Sequence, residues 1–130
     1  METAHHKFYD LEVWKKSRAL KNEIWDLVKT FPSEEKQRLS NQIIRSTRSI
    51  TATLAEGHGR FTFKDQLHFC IIARGSLSET LNHLIDGYDC NYISRNQLNY
   101  FKLMIEEITK ILNGYISYLR RNLARSKNIS

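Results

Sequence analysis

Five histidines, two cysteines, fourteen carboxylates and a Gly-His-Gly-Arg turn are the parts of this 130-residue chain that could do chemistry. His5, His6, His58, His68 and His83 fall in no H-E-x-x-H or other ligand spacing, and the helical segments carry no Glu-x-x-His pair of the di-iron kind. Cys70 and Cys90 are too few for a disulfide framework and lack metal spacing, so they read as reduced thiols. Ser76, in "ARGSLSE", sits inside a helical pattern and not at a nucleophile elbow. The adjacent pairs Glu34/Glu35 and Glu106/Glu107 splay across helix surfaces instead of converging. No catalytic residue, metal or cofactor is expected, and the chain does not read as an enzyme.

The stretch "SITATLAEGHGRF" poses the sharper question. A phosphate loop follows a strand and aims backbone amides at the anion, whereas Ser49–Phe61 follows a helical stripe and lacks the Walker lysine. Gly57 is expected at the left-handed position just past a helix end, with Gly59 turning the chain back. Glu56 would then lie in the last helical turn, where the helix dipole disfavours an anion. Arg60 or His58 could offset that from the turn, as could an arginine of a neighbouring chain.

The basic residues are more telling. The formal net charge is +6 and the pI is about 9.4, a balance that favours polyanionic partners, chiefly nucleic acid. Arg38, Arg45 and Arg48 are read on one side of the second helical segment, Lys15, Arg18 and Lys21 along the first, and Arg120, Arg121 and Arg125 at the C-terminus. These nine are the candidate nucleic-acid-binding residues, suited to following phosphates. Arg45 and Arg74 also suit ion pairs between helices, with Glu56 or Glu79 as partners. No apolar run approaches the roughly 18 residues of a membrane span, and "METAHHKFYD" has no signal-peptide core. The expected location is the cytoplasm, with no membrane partner.

Four periodic segments position these residues: about Leu11–Thr30, Glu34–Glu56, Phe63–Tyr88 and Arg95–Asn122. Asp10, Ser33, Thr62 with Asp65, and Ser94 with Gln97 are the expected N-terminal caps, the last pair framed by an Ile93–Leu98 staple. Gly75, mid-helix, predicts close packing against a neighbouring helix. Short linkers force neighbouring segments to run in opposite directions. The expected fold is all-α, an antiparallel up-down-up-down four-helix bundle over residues 10–122, with an N-terminal extension (1–9) and a flexible basic tail (123–130). Trp14, Trp25 and Val28, then Ile44, Thr51 and Ala55, then Phe69 and Ile72, and finally Met104, Ile111 and Tyr118 lie off the core stripes. They predict self-association, with Trp14, Trp25, Ile44, Met104, Ile111 and Tyr118 as the interface.

The phrases "FYDLEVWKKSRAL", "FPSEEKQRLSNQIIRSTRSI", "LAEGHGR" and "FCIIARGSLSETLNHL" resemble the four-helix-bundle family encoded in intervening sequences of bacterial 23S ribosomal RNA genes. The likeness runs from about Phe8 to Leu119. It implies a cytosolic bacterial bundle that assembles as a homopentamer. A related branch, the accessory variability determinants of diversity-generating retroelements, implies a basic pentamer that binds a reverse transcriptase and nucleic acid. Glu56, Gly57 and Arg60, with Arg74 and Gly75, match the family pattern and form its structural motif here. The usual Pro-x-Asn-Ile is replaced by Thr51, Ala52, Thr53 and Leu54. The expected function is a non-enzymatic homo-oligomer that binds RNA or DNA through basic surfaces. The alternative is a protein-binding adaptor, such as a reverse-transcriptase accessory subunit.

Overall fold

The 3.6-residue rows fold as helices and turn their apolar sides to one core. The computed structural model describes residues 7–129: α1 (Glu12–Val28), α2 (Leu39–His58), α3 (Phe63–Asp89) and α4 (Arg95–Ile129), with short 3-10 turns at Phe8–Asp10 and Ser33–Glu35. There is no strand among the described residues, so the chain is all-α. Residues 1–6 of the expected extension and Ser130 of the expected tail lie outside the described residues. Each helix packs on the next in the chain, and α4 closes back on α1.

The core takes one apolar row from each helix. Val13, Leu20, Ile24, Leu27, Phe31, Leu39, Ile43, Ile50, Leu54, Cys70, Ala73, Leu77, Leu84, Phe101, Ile105, Ile108, Leu112 and Leu119 are buried. Leu67, Leu81, Tyr88, Leu98 and Tyr115 pack against it while partly exposed. Ile116 takes the buried place in the last turns of α4. Val28 and Thr51, expected on a second apolar face, are buried as well. Burial raises the Cys70 thiol to about 11, so it stays protonated at neutral pH.

Small residues bring α2 and α3 together. Thr80 Oγ1 donates to Ser46 Oγ at 2.8 Å, and the Ser49 and Ser76 hydroxyls meet at 2.9 Å. Ser46, Thr47, Ser76 and Thr80 are buried; their hydroxyls bond to each other and to carbonyls one turn back, so no buried oxygen among them goes unsatisfied. Residue numbers rise along α2 as they fall along α3 through these contacts. The same holds between α1 and α4, where Lys16 Nζ lies 3.4 Å from Glu107 Oε2 and the Tyr100 hydroxyl donates to Glu23.

Gly57 is not the left-handed stop expected. It lies inside α2, buried, where a Cβ would sit 2.7 Å from Cβ of Phe69. Its role is the close approach of two backbones. Gly59 ends the helix with ordinary right-handed angles, φ −78° and ψ −5°. Among the described residues the positive φ belongs to Asn91, at 63°, one of the few side chains that tolerate it. That turn lets the Tyr92 N–H reach the Gly87 carbonyl at 2.9 Å, the long bond of a Schellman closure. Gly75 also departs from expectation, since a Cβ there would have nothing within 4 Å.

Helix starts divide by how their first amides are satisfied. Ser94 and Gln97 form the full reciprocal box, at 2.8 and 3.1 Å. Thr62 Oγ1 accepts from the Asp65 N–H at 3.1 Å. Asp10 does not cap α1; its carboxylate accepts the Lys7 N–H at 3.2 Å and closes the preceding 3-10 turn. Ser33 does not cap α2 either, because α2 begins at Leu39 after a 3-10 turn and Arg38 is non-helical, at φ −118° and ψ −108°. Glu35 supplies the cap from outside: its Oε1 accepts the Leu39 N–H at 3.3 Å and its Oε2 accepts the Tyr92 hydroxyl at 2.8 Å. That bond, with desolvation and the carboxylate charge behind it, pushes the Tyr92 phenol up to about 12.

At the other end α4 runs on to Ile129, past the expected boundary at Asn122. Residues 123–129 hold no glycine or proline to stop the helix, and Leu123, Ala124, Arg125 and Lys127 are good helix formers. Asn122 Nδ2 donates to the Tyr118 carbonyl and Ser126 Oγ to that of Leu123, both at 2.8 Å. Lys127 lies in the last turn, where the dipole favours a cation.

Candidate nucleic-acid interface

Two rows of residues four apart face each other across the seam of α1 and α2. Lys21, Trp25 and Lys29 line one side; Lys36, Ser40, Ile44 and Arg48 line the other. Lys21, Trp25 and Lys29, and likewise Ser40, Ile44 and Arg48, share a helix face at this spacing, while Lys36 joins the groove from the turn ahead of α2. Two adjoining cavities, of about 220 and 300 Å³, share Trp25 and Ile44. Asn22 and Thr47 complete the first; Val28, Phe31, Pro32 and Ser33 complete the second.

Trp25 is 44% exposed at the centre of this groove. The Lys29 ammonium and the Arg48 guanidinium each lie 5.5 Å from its ring centroid, within range of a cation–π attraction. Lys29 is also 3.4 Å from Asp26 Oδ1, an exposed pair worth little. Neither cavity is lined by a carboxylate among the described residues. The groove therefore combines an apolar floor, an aromatic face and four cations.

The predicted basic residues are divided by the fold. Lys21 and Arg48 come together in the groove, joined by Lys29 and Lys36, which the sequence reading did not single out. For Lys29 the signal was present in the i, i+4 row 21–25–29, facing 40–44–48 on α2; Lys36 lies in the turn ahead of α2, outside any helical row. Arg45 does not share that side with Arg48. It faces α3 in a cleft of about 400 Å³ with Gln42, Ser46, Ser49, Glu79 and His83. In that cleft His83 Nε2 lies 3.2 Å from Glu79 Oε2, while Nδ1 is buried without a partner. Arg38 is exposed ahead of α2, and Lys15 and Arg18 are exposed on α1, with Arg18 5.9 Å over the Trp14 ring. Arg120, Arg121 and Arg125 are exposed on the far end of α4, about 30 Å along the helix from the level of Trp25.

The predicted interface residues also separate. Trp25 and Ile44 belong to the groove. Trp14 is half-buried under Phe8, ring centroids 5.3 Å apart and edge-on. Met104 and Ile111 are half-buried against the core, and Tyr118 is exposed, stacked on Tyr115 at 6.1 Å. Ile71, Ile72 and Ile85 on α3 and Leu103 on α4 are exposed apolar side chains as well. Gly75 lies between them in sequence on α3, with open space where a Cβ would be.

Glu56 and Arg60 of the motif form a clasp at the α2–α3 turn. Arg60 Nη2 lies 2.7 Å from Glu56 Oε2, which is the offset expected for that carboxylate, and the guanidinium lies 4.7 Å over the Phe69 ring. Gln66 Nε2 donates to the Arg60 carbonyl at 2.9 Å. Arg74 makes no ion pair with Glu56 or Glu79 among the described residues; its Nη1 donates to Asn113 Oδ1 on α4 at 2.9 Å. No group of three or more His, Cys, Asp or Glu among the described residues could hold a metal ion. No helix among them is long and apolar enough to cross a membrane.

A family model described as "23S rRNA-intervening sequence protein" matches residues 9–114. The chain belongs to that family. The match takes in α1, α2, α3 and somewhat more than half of α4, and so the whole of the groove and of the Glu56–Arg60 clasp. It stops before Arg120, Arg121 and Arg125. A solved structure from the S23 ribosomal protein family, a protein of unknown function from Bacteroides thetaiotaomicron, is 30% identical with a TM-score of 0.75. The similarity covers 81% of this chain and 95% of that one. No curated protein matches the chain.

Proposed function

We propose that this member of the family is a non-enzymatic, cytoplasmic homo-oligomer that binds RNA or DNA, its antiparallel up-down-up-down bundles assembled as a pentamer. The observation that carries the binding is the groove itself: Lys21, Lys29, Lys36 and Arg48 around an exposed tryptophan, with no lining carboxylate among the described residues. Self-association is supported by the exposed isoleucines of α3 and Leu103 of α4, which a single bundle leaves in water; the number five comes from the family resemblance. Five copies at +6 each carry +30, a field that gathers polyanions with little sequence preference.

The test is binding of a structured RNA across a salt series, with mass by light scattering. Four groove cations on phosphates predict a log–log salt slope of about −3. The double variant Lys21→Glu, Arg48→Glu flattens that slope and weakens binding at low salt by on the order of tenfold or more. Absence of binding at low salt, or an unaffected double variant, removes the nucleic-acid reading. A single-copy mass at micromolar concentration removes the oligomer. The second reading, an adaptor for a protein such as a reverse transcriptase, is favoured by Leu103, which at 66% exposed is a large apolar contact left open. Leu103→Glu that abolishes capture of such a partner while sparing RNA binding would select it.

A further inference from the structure

The geometry points to a narrower ligand for the groove: an unpaired nucleobase stacked on Trp25, with its flanking phosphates on Lys21, Lys29, Lys36 and Arg48. This rests on the nucleic-acid reading above and says which form of nucleic acid the site takes. A duplex offers phosphates but keeps its base faces stacked inside. The groove offers more than a phosphate rail. Its centre is an indole 44% exposed, at the junction of two cavities of about 220 and 300 Å³. A purely electrostatic surface has no use for a tryptophan held open between helices, whereas a base has a π face that any aromatic ring can stack on.

The local chemistry favours this occupant over a second copy of the chain. Four cations border an apolar floor made by Val28, Phe31 and Ile44. An apolar segment of another protein would have to desolvate those cations without supplying charge, which is costly. A single strand supplies both halves: phosphates for the border and a flat apolar base for the floor. The Lys29 ammonium now over the ring is more than half exposed and held by a long contact to Asp26, so it can swing to a phosphate as a base takes its place. The guanidinium of Arg48 lies at the same distance from the indole and is itself a stacking plane. Binding through stacking predicts tolerance of sequence, intolerance of base pairing, and no distinction between ribose and deoxyribose at the ring.

The experiment uses the full chain carrying Trp14→Phe, so that tryptophan emission reports Trp25 alone. It is titrated with short single-stranded RNA, single-stranded DNA of the same sequence, and the duplex of each. Both single strands are expected to quench Trp25 and to bind about tenfold more tightly than the duplexes. Trp25→Leu in the otherwise unchanged chain is expected to lose about tenfold for single strands and little for duplexes, with partial rescue by Trp25→Phe. The affinities of that series carry the test even if Trp14→Phe folds poorly. Binding of strands and duplexes with equal affinity and unmoved Trp25 emission overturns the stacking site while leaving the broader reading intact. Loss of all binding at low salt overturns both. Trp25 emission already shielded from a soluble quencher in the unliganded protein shows a second copy seated in the groove and overturns the inference.

Discussion

Adding one methyl group at two glycines should have opposite effects on this bundle. At Gly57 the added Cβ would lie 2.7 Å from Cβ of Phe69, roughly 0.8 Å inside favourable carbon–carbon contact. The clashing atom is next to the backbone, so no rotamer change relieves it; α2 and α3 must separate. The separation disturbs the Ser49–Ser76 and Thr80–Ser46 hydrogen bonds on the same seam. Overpacking of this kind costs about 1–3 kcal/mol, against a helix-propensity gain of up to about 1 kcal/mol for alanine. At the middle of that range Gly57→Ala should therefore destabilise by about 1 kcal/mol net. At Gly75 the Cβ meets nothing within 4 Å, so the propensity gain stands alone, and Gly75→Ala should stabilise the protomer by about 1 kcal/mol. The assay is urea unfolding followed by far-ultraviolet circular dichroism at one fixed protein concentration, so that the proposed self-association, which would make stability concentration-dependent, weighs equally on every variant. The midpoint should fall for the first variant and rise for the second, with the denaturant slope unchanged. Gly57→Ala as stable as the parent would refute the close-approach reasoning. A loss of assembled mass in Gly75→Ala, with its protomer intact, would place another copy over that face.

Two further predictions come from the polar contacts. The Tyr92 phenol, pushed to about 12 by its bond to Glu35, keeps its proton in the folded chain while the unfolded chain releases it near the ordinary value of 10.0. Its contribution is whole below pH 10 and is lost as pH rises toward 12, so thermal midpoints should fall through that window, and less steeply in Tyr92→Phe; identical slopes would contradict the assignment. Thr80→Val removes the donor to Ser46 inside the α2–α3 seam and should cost about 1 kcal/mol, a few degrees in a thermal melt. A gain in melting temperature would show that the hydroxyls are dispensable there.

The four helices were legible because their apolar rows are long and regular: α4 keeps threes and fours from Leu98 to Leu119, and its Ser94–Gln97 box lies where the spacing places it. The start of α2 was not, because its cap is Glu35 reaching forward from a 3-10 turn and steadied by Tyr92 from the next loop pair. No local pattern encodes a partner 57 residues away. Gly57 was misread for a related reason. A glycine near a helix end has two uses, and only the position of Phe69 on α3 tells them apart. In the groove, Lys21 and Arg48 were recognised as basic and Trp25 and Ile44 as apolar. That they share one cleft depends on the pairing of α1 with α2, which periodicity along each helix does not specify. Arg45 and Arg48 looked alike in sequence, but a helical rotation of about 60° between them sends one to α3 and the other to α1.

The Tyr92 hydroxyl spans the two helical hairpins at one end of the molecule, from the α3–α4 turn to the carboxylate that begins α2. A slip of either hairpin by one residue would move it about 1.5 Å along the axis, enough to part a contact of 2.8 Å and uncap a helix in the same stroke. The bundle thus carries a vernier, a single side-chain mark that fixes how high one half stands against the other. Lys36, the residue after Glu35, is set in place by that same mark at the mouth of the groove.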